Sequence, residues 1–129
     1  MIDMKFLLDT NFLLAPFQFK VDVYRGLNEI AKAELFTLDL VIQELEKIAA
    51  GRGKTARYAY MAIHQLEKEG VHIIHTKPRS TRRTDAVLVK IAKKEMLTVC
   101  TQDRGLISRL KKAKVPVVSM RQKRVLMRR

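Results

Sequence analysis

Short apolar runs, each ending at a polar turn and separated by helical patterns, limit what this chain can fold into. Lys5-Phe6-Leu7-Leu8 stops at Asp9-Thr10-Asn11. Glu34-Leu35-Phe36-Thr37, Val71-His72-Ile73-Ile74-His75, Leu97-Thr98-Val99-Cys100 and Pro116-Val117-Val118 repeat the form. Runs this short, bounded by turn residues, read as buried strands. Apolar residues at helical spacing predict helices over 22–32, 40–50, 54–69, 84–95 and 103–113, while Phe12-Leu13-Leu14-Ala15 breaks at Pro16. Asp39 reads as the cap of the second helix, and Gly51 and Gly70 as stops. Strands alternating with helices imply a parallel sheet covered on both faces, an α/β fold. With 129 residues the chain is expected to be one domain over 1–120, followed by a basic C-terminal tail over 121–129.

Four acids sit where surface charge is not expected. In open α/β sheets, ligands bind beyond the carboxyl ends of the strands. Asp9 ends the first apolar run, and Asp103 follows the fourth after Thr101-Gln102. Glu44 is separated from Glu46 by helical geometry. Val41, Leu45 and Ile48 share one stripe; Glu44 falls about 60° from Val41 on that side, and Glu46 falls opposite as a solvated charge. Asp85 opens a helix three residues before Leu88, which turns it inward.

Each acid has an ordinary alternative. Asp9, Asp85 and Asp103 suit helix caps, and Glu44 suits an internal ion pair. Their conjunction is harder to explain that way, because one parallel sheet brings all four to the same edge. Such a cluster repels itself without cations, and hard oxygen donors suit Mg²⁺ or Mn²⁺. Asn11 either hydrogen-bonds a carboxylate or closes its turn, and Thr101 offers a hydroxyl beside Asp103.

Charge then suggests a ligand. Residues 1–76 hold 9 Lys/Arg against 10 Asp/Glu, whereas 77–129 hold 17 against 3. A half so one-sided is an electrostatic footprint for a polyanion, and nucleic acid fits it better than a mixed, solvated surface does. Arg79, Arg82 and Arg83 lie next to Asp85, and Lys111, Lys112 and Lys114 extend the basic run. A membrane surface is disfavoured, because the basic segments lack an aromatic-anchored amphipathic face. No apolar run is long enough to span a bilayer. The single Cys100 sits in an apolar run and reads as a small core residue in a reducing cytoplasm.

Other motifs carry less. Gly51-Arg52-Gly53-Lys54-Thr55 ends like a phosphate-binding P-loop, but the earlier glycine position is Ile48 and the segment joins two helices. It reads as a helix stop with basic residues that could touch RNA. His72 and His75, three apart on a strand, face opposite sides and make poor joint ligands.

Leu7-Leu8-Asp9-Thr10-Asn11, Glu44-Leu45, Thr84-Asp85-Ala86 and Thr101-Gln102-Asp103-Arg104-Gly105-Leu106 together resemble the successive motifs of PIN-domain nucleases. Asn11 to Phe19, Gly51 to Lys54 and Val118 to Lys123 are similar to archaeal relatives of the PIN endonucleases that process small-subunit ribosomal RNA. The resemblance implies a three-layer α/β/α sandwich around a central parallel, Rossmann-like sheet of about five strands. It implies Asp9, Glu44, Asp85 and Asp103 as the catalytic and metal-binding tetrad, supported by Asn11 and Thr101. It also implies Mg²⁺- or Mn²⁺-dependent cleavage of single-stranded RNA, with precursor rRNA among the substrates. Many members place a further acid beside the third aspartate; here the position is Thr84. A toxin-type PIN ribonuclease and a non-cleaving RNA-binding assembly factor are the competing readings. Apolar faces on the middle helices leave room for a homodimer.

Overall fold

The computed structural model describes residues 3–76, 84–121 and 124–128. The described residues form six strands and six helices. Strands are β1 (Asp3–Leu8), β2 (Lys32–Leu38), β3 (His72–Ile74), β4 (Thr98–Cys100), β5 (Val117–Arg121) and β6 (Arg124–Arg128). Helices are α1 (Thr10–Gln18), α2 (Val23–Ile30), α3 (Asp39–Ala49), α4 (Lys54–Lys68), α5 (Thr84–Glu95) and α6 (Arg104–Lys112).

The strands form one sheet in the order β3-β2-β1-β4-β5-β6. Every pairing is parallel except β5–β6, which is antiparallel. The chain lays strands outward from β1 through β2 to β3, then returns to β1's other side and continues through β4. The order therefore reverses between β1 and β4, which makes their carboxyl ends the switch point of the sheet. Phe6, Leu7, Leu8, Val99 and Cys100 are fully buried there. Phe6–Leu8 of β1 and the whole of β4 are buried without alternation, as expected where helices cover both faces.

Two elements differ from the sequence expectation. The run broken at Pro16 is a helix, α1, with Pro16 inside it. An interior proline costs about 3 kcal/mol or more. Burial of Phe12, Leu13 and Leu14 outweighs this, at roughly 1.5–3 kcal/mol each. The second is β6, which lies within the stretch read as a basic tail. It pairs with β5 from Val117↔Arg128 to Arg121↔Arg124 and brings the strands to six. Its arginines hide the strand from sequence patterning but suit a sheet edge, where charge discourages pairing with another chain.

The α3–α4 hairpin departs from and returns to the same end of the sheet. β3 pairs only with Phe36, Thr37 and Leu38, the last residues of β2, so α4 brings the chain back near the carboxyl edge that α3 left. Val41 and Leu45 of α3 and Ala59, Ala62 and Leu66 of α4 are buried within the chain, so the apolar faces of these middle helices are largely covered internally.

Candidate active site

Asp9 stands at the switch point and is 6% exposed. Its extended backbone makes it the N-cap of α1, where its Oδ1 accepts the Phe12 N–H at 2.8 Å. Its own N–H donates to the Cys100 carbonyl at 3.2 Å, which fixes it against β4. The Leu8 carbonyl beside it accepts the buried Thr37 hydroxyl at 2.8 Å. The cap role and the site role thus fall on the same residue.

Thr101, fully buried beyond β4, joins two of the acids. Its hydroxyl donates to Asp9 Oδ2. The Thr101 hydroxyl oxygen itself accepts the Asp103 N–H at 3.1 Å. Asp103 caps α6, with its Oδ1 accepting the Leu106 N–H at 3.0 Å. A Cβ on Gly105 would stand 3.2 Å from that Oδ1, so glycine keeps space beside the Asp103 carboxylate.

Glu44 is held from the other side. It is half-buried on α3, and its Oε2 accepts the Thr10 hydroxyl at 2.6 Å. Glu46 is exposed, as the helical phase predicts. Thr10 follows Asp9 directly, so the two acids are linked through adjacent residues. In the sequence Thr10 reads only as part of a turn; Asn11, the supporting residue expected there, is exposed on the first turn of α1. The signal was available: a hydroxyl immediately after a strand-ending aspartate.

Asp85 lies half-buried in the first turn of α5. Burial pushes the Asp9 carboxyl up to about 7, opposed by the hydrogen bonds from Thr101 and Phe12 and reinforced by the negative charges of Asp85 and Asp103. The acids therefore sense one another electrostatically. Among the described residues, no three His, Cys, Asp or Glu side chains stand close enough to enclose a metal ion. The acids form an open rim and not a closed cage. Its donors are hard oxygens, and the charge pressure on Asp9 is of the kind a cation relieves, so the chemistry of the set fits a hard divalent ion.

The basic residues divide. Arg79, Arg82 and Arg83 lie outside the described residues. Lys111 and Lys112 are in the last turn of α6, and Lys114 follows it. That helix starts at Asp103 and spans nine residues, roughly 14 Å at 1.5 Å per residue. It then delivers the chain to the start of β5. These lysines thus stand a helix length from Asp103, toward the opposite edge of the sheet.

Asp39 does not cap α3 from outside. It is the helix's first residue, and it accepts both the Thr76 N–H (3.0 Å) and the Thr76 hydroxyl (2.8 Å), tying the end of β2 to the segment after β3. Cys100 is fully buried, and burial raises its thiol well above the usual range, as befits a core residue.

Residues 6–123 match the family model described as a PIN like domain. The rRNA-processing protein FCF1 of Saccharomyces cerevisiae is 29% identical over 117 residues, which are 88% of this chain and 58% of that protein. The chain thus spans little more than half the length of that relative. The structure of the PIN domain endonuclease Utp24 superposes with a TM-score of 0.80 at 24% identity, covering 97% of this chain and 91% of the other. A domain of a functionally unknown protein from Methanocaldococcus jannaschii follows at 0.71 and 15% identity, over 92% and 91% of the two chains. At these identities the structural likenesses speak to the fold. Among the described residues no helix is long and apolar enough to cross a membrane.

Proposed function

The chain belongs to the PIN-like domain family, and from that premise we propose that it is a divalent-metal-dependent endoribonuclease that hydrolyses phosphodiester bonds of single-stranded RNA. One observation carries the reading: the buried Thr101 hydroxyl ties Asp9 to the Asp103 backbone at the switch point. A polar pair held this way in the apolar centre of a sheet is otherwise costly to bury.

Asp9, Glu44, Asp85 and Asp103 would hold Mg²⁺ or Mn²⁺. Such an ion, when bound, supplies Lewis acidity to the scissile phosphate and lowers the pKa of water. The chain's own contribution is orientation. Thr101 and the Phe12 N–H fix both oxygens of Asp9, and Thr10 fixes Glu44. Basic residues from the carboxy-terminal half draw the phosphate backbone toward the acids, so binding weakens with salt. Precursor rRNA is the proposed substrate class, supported by the likeness to the yeast rRNA-processing protein.

The test is incubation of the purified protein with a labelled single-stranded RNA in Mn²⁺ or in EDTA. Internal cleavage in Mn²⁺, absent in EDTA and absent for Asp9→Asn, is expected. Binding without cleavage in Mn²⁺ would turn the reading toward a non-cleaving assembly factor.

A further inference from the structure

The turn between α3 and α4 carries a groove of about 380 Å³, lined by Ala49, Gly51, Gly53, Ala56, Arg57, Tyr60 and Met61. Three features set it apart. First, its aromatic is displayed. Tyr60 is 60% exposed, although it belongs to a helix whose other face is buried. His64, one turn on, meets the Tyr60 ring at 4.5 Å between centroids with the ring planes at 64°, and Tyr60 stays largely exposed beside it.

Second, the charge there has one sign. Between Glu46 and Glu67 the chain carries Lys47, Arg52, Lys54 and Arg57 and no acid. Arg52, Lys54 and Arg57 are all exposed; Arg57 lines the groove, and Arg52 and Lys54 are chain neighbours of its Gly51 and Gly53. This occurs in the half of the chain where charges otherwise balance.

Third, the hairpin packs against the helix that starts at the acidic rim. Tyr58, two residues before Tyr60, stacks on Phe17 at 6.4 Å between centroids. Phe17 lies near the far end of α1, the helix that Asp9 caps. The groove is therefore a contact separate from the rim, about one nine-residue helix, roughly 14 Å, along α1 from Asp9.

Resting on the reading of the chain as an RNA nuclease, we infer that this hairpin groove is a second RNA contact, in which Tyr60 stacks on an unpaired base while Arg52, Lys54 and Arg57 take the flanking phosphates. An aromatic face set among cations is how proteins hold single strands without reading their sequence. A duplex would leave the ring without a base to stack on. A second copy of the chain is the poorer occupant. A two-fold contact would set this patch against itself, cation against cation.

The experiment measures anisotropy of a fluorescein-labelled oligouridylate with the full chain in EDTA, so that binding is read without cleavage. Tyr60→Ala should weaken binding about 5- to 100-fold, and Tyr60→Phe should stay within about 2-fold of wild type. Arg57→Glu should weaken binding and reduce the slope of log affinity against log salt by about 0.7, one phosphate's worth. Because these side chains are exposed, circular dichroism should show unchanged folding. Tyr60→Ala that binds with wild-type affinity overturns the inference. So does a change of oligomeric state on size exclusion, which would make the patch a contact between copies. Failure of the nuclease reading appears separately, as an absence of Mn²⁺-dependent cleavage by a wild-type protein whose RNA binding still depends on Tyr60.

Discussion

The hydroxyl of Thr101 donates to Asp9 across the boundary between β4 and β1. Because that oxygen also accepts the Asp103 N–H, the link has a consequence for both ends. Thr101→Val keeps the shape and removes the hydroxyl. It should cost about 1–3 kcal/mol of stability, from the unpaired groups left behind. It should lower single-turnover cleavage about 10- to 100-fold, the usual cost of losing a group that orients a metal ligand. Thr101→Ser should recover most of both. Thermal melts and gel-based cleavage assays check the pair.

Asp9→Asn should abolish cleavage yet stabilise the metal-free protein at alkaline pH. The folded Asp9 titrates at about 7 against an ordinary 3.8, chiefly because it is buried. The folded chain therefore holds this proton more tightly than the unfolded chain does. Its contribution to stability is full below about pH 4 and is lost as pH rises to about 7. Above that, the fold carries a buried charge, with a ceiling of about 4 kcal/mol at ~1.4 kcal/mol per pH unit. Melting in EDTA should show wild type and Asp9→Asn alike near pH 4, with the variant higher at pH 8. Mn²⁺ should raise the melting temperature of wild type at pH 8 and not that of the variant.

Glu44 and Glu46 form an internal control, two residues apart on one helix. Glu44→Gln should reduce cleavage by at least about 10-fold, whereas Glu46→Gln, exposed and facing away, should leave it unchanged. Thr10→Val should fall between them, since it releases Glu44 without removing it.

Gly26 of α2 admits β6. A Cβ there would meet the Val125 side chain at 2.6 Å, and valine is stiff at χ1, so backbone must move. Gly26→Ala should destabilise the fold by about 1–3 kcal/mol. Val125→Ala in the same chain should restore part of it, and a double-mutant cycle of denaturant melts measures the coupling.

The two sets of basic residues should differ in effect. Replacing Arg79, Arg82 and Arg83 by alanine should cut the salt slope of RNA binding by about 2, at ~0.7 per phosphate contact. Replacing Lys111, Lys112 and Lys114, far along α6 from Asp103, should change the slope less. Anisotropy titrations over a range of KCl decide.

Much of this was legible in the sequence because it rests on short-range patterns. The parallel strands showed as unbroken apolar runs, and the phase of α3 alone separated Glu44 from Glu46. What failed was long-range or disguised. Pro16 looked like a stop because local propensity disfavours it, while the burial that overrides it comes from elements far along the chain. β6 looked like a tail because its arginines masked a strand held by β5 and α2. Thr10 was missed because its partner is 34 residues away.

The link between Thr101 and Asp9 spans 92 positions, most of the polypeptide. Translation therefore delivers Asp9 long before the hydroxyl that binds it. A nascent chain has Asp9 early, with β2 to pair beside β1, but not the Thr101 hydroxyl until β4 has emerged and slotted next to β1. Whatever this centre acts upon, the ribosome making the protein never carries an assembled centre on a half-made chain.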